Sequence, residues 1–167
     1  GGVISELMSL IKEFDIPFQY VPIEKLNRVT FKNHQGVIAY TSQIIYHSIE
    51  QVLPSIFERG ETPLIIILDR ITDVRNFGAI ARSAECAGAH AIIIPSNGAA
   101  AVNADAVKTS AGALLKIPVC RVNRLNTTIE YLKESGLQVV ACTGNAQKIY
   151  YDIDLTLPLA IIVGSEE

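Results

Sequence analysis

The chain has 167 residues, 49% hydrophobic and 19% charged, with a formal net charge of −3. That composition excludes an intrinsically disordered chain, and the acidic balance argues against a purely electrostatic grip on nucleic acid. Apolar runs such as Leu64 to Leu68 fall far short of the ~20 residues that span a bilayer, and no basic segment precedes an apolar signal core, so a soluble cytoplasmic protein is expected.

Residues 3–14 repeat apolar positions at helical spacing and predict an amphipathic helix. Ile16 to Val21 reads as a short strand. A turn and a short helix from Ile23 follow, then a basic loop. Between residues 25 and 35 the charged groups are Lys25, Arg28 and Lys32, with His34 and no acid. Val37 to Tyr40 reads as another strand. Residues 1–40 are therefore expected to form a small α/β unit. Residues 41–62 read as a linker with a helical patch, ending in Arg59-Gly60 and Pro63.

From residue 63 to 167 the rhythm changes. Strands at Leu64–Asp69, Ala91–Pro95, Ile117–Arg121, Gln138–Cys142 and Leu159–Val163 alternate with helices near 77–87, 103–109 and 125–135. Strands apolar throughout are buried on both faces, and this order predicts an α/β fold with a parallel sheet. Gly98 to Ala101 reads as a flexible turn. Cys86, Cys120 and Cys142 form no C-x-x-C pair and the three His are scattered, so core thiols are expected rather than a metal site.

The informative stretch runs from Leu68 to Gly88. A strand ends, a loop follows, and Asn76 is placed as a helix N-cap. The helix is rich in small residues (Gly78, Ala79, Ala81, Ala84, Ala87), which admit a close neighbour, and Gly88 can close it. Arg82 lies six residues beyond Asn76 among small and apolar neighbours, so its charge calls for an anionic partner. On spacing alone, a simple cap and an ordinary surface cation explain this pair more economically.

Asn76-Phe-Gly78-Ala-Ile-Ala-Arg82, followed by Ala84 and Gly88, resembles the first signature motif of the SpoU (TrmH) family of RNA 2′-O-ribose methyltransferases. His34-Gln35-Gly36-Val37 is similar to the end of the substrate-binding domain in its RlmB-type branch. Thr109-Ser-Ala-Gly-Ala113 is similar to a segment of that branch, and Ile161-Ile-Val-Gly164-Ser165-Glu166 to the start of the second signature motif.

The resemblance implies a parallel-sheet α/β-knot whose C-terminal segment threads a trefoil. It implies a homodimer and S-adenosylmethionine as methyl donor. It further implies, as target, a guanosine ribose in large-subunit (23S) ribosomal RNA. Carried over by position, Asn76, Arg82 and Glu166 form the catalytic cluster, while Thr143, Gly144 and Gly164 line the donor pocket. Lys25, Arg28, Lys32 and His34 in the first domain, with Arg70 and Arg75 in the loop before the helix, are expected to meet RNA. On its own, Thr143-Gly144-Asn145 reads as a plain turn.

A guanidinium stays protonated at neutral pH, so Arg82 is expected to orient a phosphate and stabilise a developing alkoxide rather than to act as base. The chain stops inside the second motif. The family's third motif and the knot-forming segment are expected beyond it, and the methyltransferase domain is read as C-terminally incomplete. Two other readings share the scaffold: a tRNA 2′-O-methyltransferase, and a non-catalytic RNA-binding protein of ribosome assembly. A nucleotide-dependent Rossmann-like enzyme is disfavoured, since neither G-x-G-x-x-G nor a P-loop occurs.

Overall fold

The computed structural model describes residues 2–14, 16–40, 43–146 and 149–164. The chain forms two compact units, residues 1–40 and 41–167. In the first, helix α1 (Val3–Glu13) is followed by an extended segment and by α2 (Ile23–Val29). The strands expected at 16–21 and 37–40 are not formed, and among the described residues this unit holds no strand. A lone apolar run without a neighbour to pair its backbone groups does not become a ladder. Instead the segment after α1 leans on that helix: Tyr20 donates its hydroxyl to Met8 Sδ at 3.7 Å, and Phe18 meets Tyr20 edge-on.

The second unit is a six-stranded, wholly parallel sheet with helices on both faces. Its elements are β1 (Tyr46–His47), α3 (Ile49–Glu58), β2 (Leu64–Leu68), α4 (Val74–Cys86), β3 (Ala91–Pro95), α5 (Ala104–Thr109), β4 (Val119–Val122), α6 (Leu125–Glu134), β5 (Gln138–Cys142) and β6 (Leu159–Val163). The strand order is β1-β4-β3-β2-β6-β5.

Alternation along each strand sorts the core into two layers. Ile92 and Ile94 pack with Phe77 and Ala81 of α4 and Ala106 of α5. Ala91 and Ile93 pack with Ile49, Leu53 and Ile56 of α3 and Leu132 of α6 on the opposite face. Strands covered twice have no polar face to show, which is why Leu64–Leu68 and Ala91–Ile94 are unbroken apolar runs.

The linker expected at 41–62 gives way to structure. β1 pairs in parallel with β4, and α3 buries Ile49, Leu53 and Ile56, spaced i, i+4, i+7, to 1% exposure. Three aliphatic side chains buried at about 1.5–3 kcal/mol each bind this segment to the sheet. The turn expected to be flexible at 98–101 is also fastened: Ala100 is buried and donates its N–H to Ile71 O at 2.8 Å. Gly88 does close α4, with φ +76° and Ala89 N–H bonded to Ala84 O at 2.9 Å. Among the described residues, no helix is long and apolar enough to cross a membrane.

Candidate functional site

In a parallel sheet all strands end on one side, and ligands bind where the connections diverge. Here that point lies between β2 and β6. The chain leaves β2 toward α4 and β3, whereas β6 enters on the other flank beside β5. A depression of about 320 Å³ sits there. Arg70, Thr72, Asp73 and Asn76 form its polar wall. Ile71, Ala79, Ile80 and Val163 form the apolar one, and Gly164 completes it.

The helix that frames the depression starts earlier than its sequence pattern suggests. Asp73, not Asn76, is the N-cap: its Oδ1 accepts from Arg75 N at 2.9 Å and Asn76 N at 2.8 Å. Asn76 is therefore the third helical residue, its side chain freed from capping and facing the depression. Both residues suit a cap chemically, and the one that leaves the extended loop first takes it. Arg70 adopts the left-handed conformation at φ +56°, which a non-glycine side chain rarely accepts, and its Nε lies 3.5 Å from Asp69 Oδ2. Strain of this kind collects at functional sites.

A second depression, of about 700 Å³, lies between the start of α4 and α5. It is lined by Thr72, Asp73, Val74, Arg75, Asp105, Lys108 and Thr109. The two depressions share Thr72 and Asp73.

The expected site residues divide accordingly. Asn76, Arg70 and Gly164 come together in the smaller depression, and Arg75 lines the larger. Arg82 lines neither. It is exposed and makes no hydrogen bond or ion pair among the described residues, so the anionic partner its charge calls for is not supplied there. At about 1.5 Å and 100° per residue, it stands roughly 9 Å along α4 from Asn76 and about 120° around it, on the face of Arg75.

Thr143 and Gly144 follow β5 immediately, and Cys142 pairs with Val163 beside Gly164. They too are exposed and line neither depression; Thr143 Oγ1 instead accepts from Asn145 N at 3.4 Å in a turn. Glu166 lies outside the described residues.

In the first unit, Lys25 and Arg28 stand one turn apart on α2 and are exposed, as is Lys32. His34 is half-buried and organises its own loop. Nδ1 accepts from Gly36 N at 3.0 Å, which leaves Nε2 to donate to Asn27 Oδ1 at 2.9 Å. Of the three thiols only Cys120 is a core residue; Cys86 and Cys142 are exposed. Burial chiefly, helped by the Glu50 charge, pushes the Cys120 thiol up to about 12.

Thr72, Asp73, Asp105 and Lys108 were not anticipated. Asp105 and Lys108, an i, i+3 pair on a helix of six residues, carry no distinguishing sequence pattern.

The SpoU rRNA Methylase family pattern matches residues 63–167, and the pattern for RNA 2′-O ribose methyltransferase substrate binding matches residues 1–47. YacO of Bacillus subtilis (strain 168), of the TrmH family and named for tRNA/rRNA methylation, is 36% identical over 165 residues, 99% of this chain and 66% of its own length. The 23S rRNA (guanosine-2′-O-)-methyltransferase RlmB of Photorhabdus laumondii is 40% identical over 133 residues, 80% of this chain and 54% of its own.

Among solved structures, the AdoMet-bound rRNA methyltransferase of Sinorhizobium meliloti matches with a TM-score of 0.63 and 28% identity over 74% of this chain and 45% of that one. The SpoU methyltransferase AviRb of Streptomyces viridochromogenes, in complex with AdoMet, matches with a TM-score of 0.57 and 27% identity over 63% of this chain and 42% of that one. This chain thus spans 66% of the Bacillus protein and less than half of either structure.

Proposed function

We infer the function from one premise: the chain belongs to the SpoU rRNA Methylase family. On it we propose that the protein transfers the methyl group of S-adenosylmethionine to a ribose 2′-hydroxyl of RNA. The target we propose is a guanosine of 23S ribosomal RNA, the substrate for which the Photorhabdus relative is named. The observation that carries the reading is the depression at the ends of β2 and β6, where Asn76, Arg70 and Gly164 meet.

The depression suits the donor. Ile71, Ile80 and Val163 offer an apolar wall for a purine, the Asp73 carboxylate stands on the rim where a sulfonium or ammonium cation can meet it, and a Cβ added at Gly164 would meet nothing within 4 Å, so the glycine leaves open space. Its volume falls at the small end of ligand pockets, about 300–1,000 Å³. The donor, when bound, supplies an activated methyl carbon. This chain's residues do the positioning, and holding nucleophile and carbon in register can account for several kcal/mol. Asn76 presents an amide to the acceptor hydroxyl from the first turn of α4. Arg75 and Arg82, about seven residues apart on one helical face, hold the phosphates flanking it. DNA, lacking the 2′-hydroxyl, is not a substrate.

The knot, the homodimer, the cytoplasmic location and the roles of Glu166, Thr143 and Gly144 belong to the same proposal. So does RNA contact by Lys25, Arg28, Lys32 and His34, in the segment matched by the substrate-binding pattern. A tRNA target is the second reading, since the name of the Bacillus relative covers tRNA as well as rRNA.

Calorimetric titration of the full-length protein with S-adenosylmethionine tests the donor site. Saturable binding, weakened about tenfold or more by Gly164→Val, is expected. Absence of binding overturns the reading and favours a non-catalytic RNA-binding protein.

A further inference from the structure

We propose that the larger depression is a guanine pocket, in which Asp105 accepts from the N1–H and N2–H₂ of the target base and Lys108 donates toward its O6 or N7. Its place in catalysis rests on the methyltransferase reading above.

Four ionised side chains line the depression, and they differ in what they have left to give. Asp73 is engaged in capping through Oδ1, which accepts from two backbone N–H groups, and keeps Oδ2 for the rim. The side chains of Asp105, Lys108 and Arg75 have no hydrogen bond or ion pair among the described residues, although Asp105 and Lys108 stand one turn apart on α5. The groups left to meet a ligand are thus the whole Asp105 carboxylate and one oxygen of Asp73, pure acceptors, and two cations, pure donors.

Two carboxylates balance two cations here, and with Arg75 turned to a flanking phosphate the pocket itself suits a neutral base better than a run of phosphates. Among the bases only guanine offers two adjacent donors, N1–H and N2–H₂, alongside the acceptors O6 and N7. Adenine and cytosine turn a ring-nitrogen acceptor toward the carboxylate, and uracil has a single N–H flanked by two carbonyls.

The location agrees. The depression holds about 700 Å³, within the range of about 300–1,000 Å³ that encloses small ligands. It shares Thr72 and Asp73 with the donor depression. A base bound against α5 sets its ribose at that common rim, beside Asn76. The base must leave its helical stack to arrive there, as targets of base-modifying enzymes do.

The test is an NMR titration of the full-length protein, with and without Asp105→Asn, using guanosine, inosine and adenosine 5′-monophosphates. Inosine lacks only the N2 amino group. The expected result is tightest binding of the guanosine nucleotide, with a preference over inosine of about fivefold or more. Asp105→Asn removes that preference and Asp105→Glu restores part of it. Equal binding of the three nucleotides, no binding, or a guanosine preference untouched by Asp105→Asn overturns the proposal. S-adenosylmethionine binding, measured on the same samples, separates the two readings. If it is present while guanosine preference is absent, the pocket assignment fails alone. If it is absent while the Asp105-dependent preference persists, the methyltransferase reading fails and the base pocket stands.

Discussion

Gly78 and Thr109 lie so close that a Cβ on the glycine would stand 2.7 Å from Thr109 Cβ and 3.0 Å from Ser110 N. This contact sets the distance between α4 and α5, and with it the width of the depression between them. Gly78→Ala gains about 1 kcal/mol of helix propensity. It also forces a helix to move, at a typical overpacking cost of about 1–3 kcal/mol. The net expectation is a loss of up to about 2 kcal/mol in urea denaturation, with RNA affinity falling as well. A variant more stable than the parent by about 1 kcal/mol, the full propensity gain, would show that the helices separate freely.

Asp73 fixes the start of α4 on the rim that both depressions share. Asp73→Ala removes the acceptor for two backbone N–H groups and is expected to cost about 1 kcal/mol, whereas Asp73→Asn keeps an acceptor and costs less. Urea midpoints of the two variants measure the difference. Equal midpoints would mean that α4 starts without this cap.

The left-handed backbone of Arg70 gives a comparison free of side-chain contacts. Neither Arg70→Gly nor Arg70→Ala retains the guanidinium, but glycine alone accepts φ +56° without cost. Arg70→Gly is expected to be more stable than Arg70→Ala by about 1 kcal/mol. Both are expected to bind RNA more weakly, with the salt dependence of binding reduced by about one charge. Alanine matching glycine would remove the argument for strain at this loop.

Much of the sheet is legible in the sequence, and the reasons show why the rest is not. Leu64–Leu68 and Ala91–Pro95 announce themselves because two covered faces leave an unbroken apolar run. β1 has only two residues, too few for any pattern. α3 carries Ile49, Leu53 and Ile56 at helical spacing, but Pro54 inside it masks the signal. Asn76 and Arg70 were found through a motif and a loop; their meeting with Gly164 depends on β6 lying beside β2, which no local pattern states. Asp105 stayed hidden because an exposed carboxylate on a short helix has no signature until a depression surrounds it.

Glu61 gives the pH dependence. Hydrogen bonding from Arg59, its Nη2 at 2.8 Å, is the main cause holding the carboxyl below its ordinary value of 4.5, and the charges of Arg59 and His90 add to it. A depressed carboxylate contributes stability above its unfolded value and loses it as pH falls through the folded one. The pair is exposed, so the effect is small. Urea midpoints of the parent and Glu61→Gln are expected to differ near neutrality and to converge below 4.5. A gap that widens toward acid would give the wrong sign.

Methylation of a ribose in RNA is read out by mapping 2′-O-methyl groups across total RNA from cells with and without this protein. The expected result is the loss of methylation at one guanosine of 23S ribosomal RNA in cells without the protein and its return on complementation. An unchanged map would contradict it.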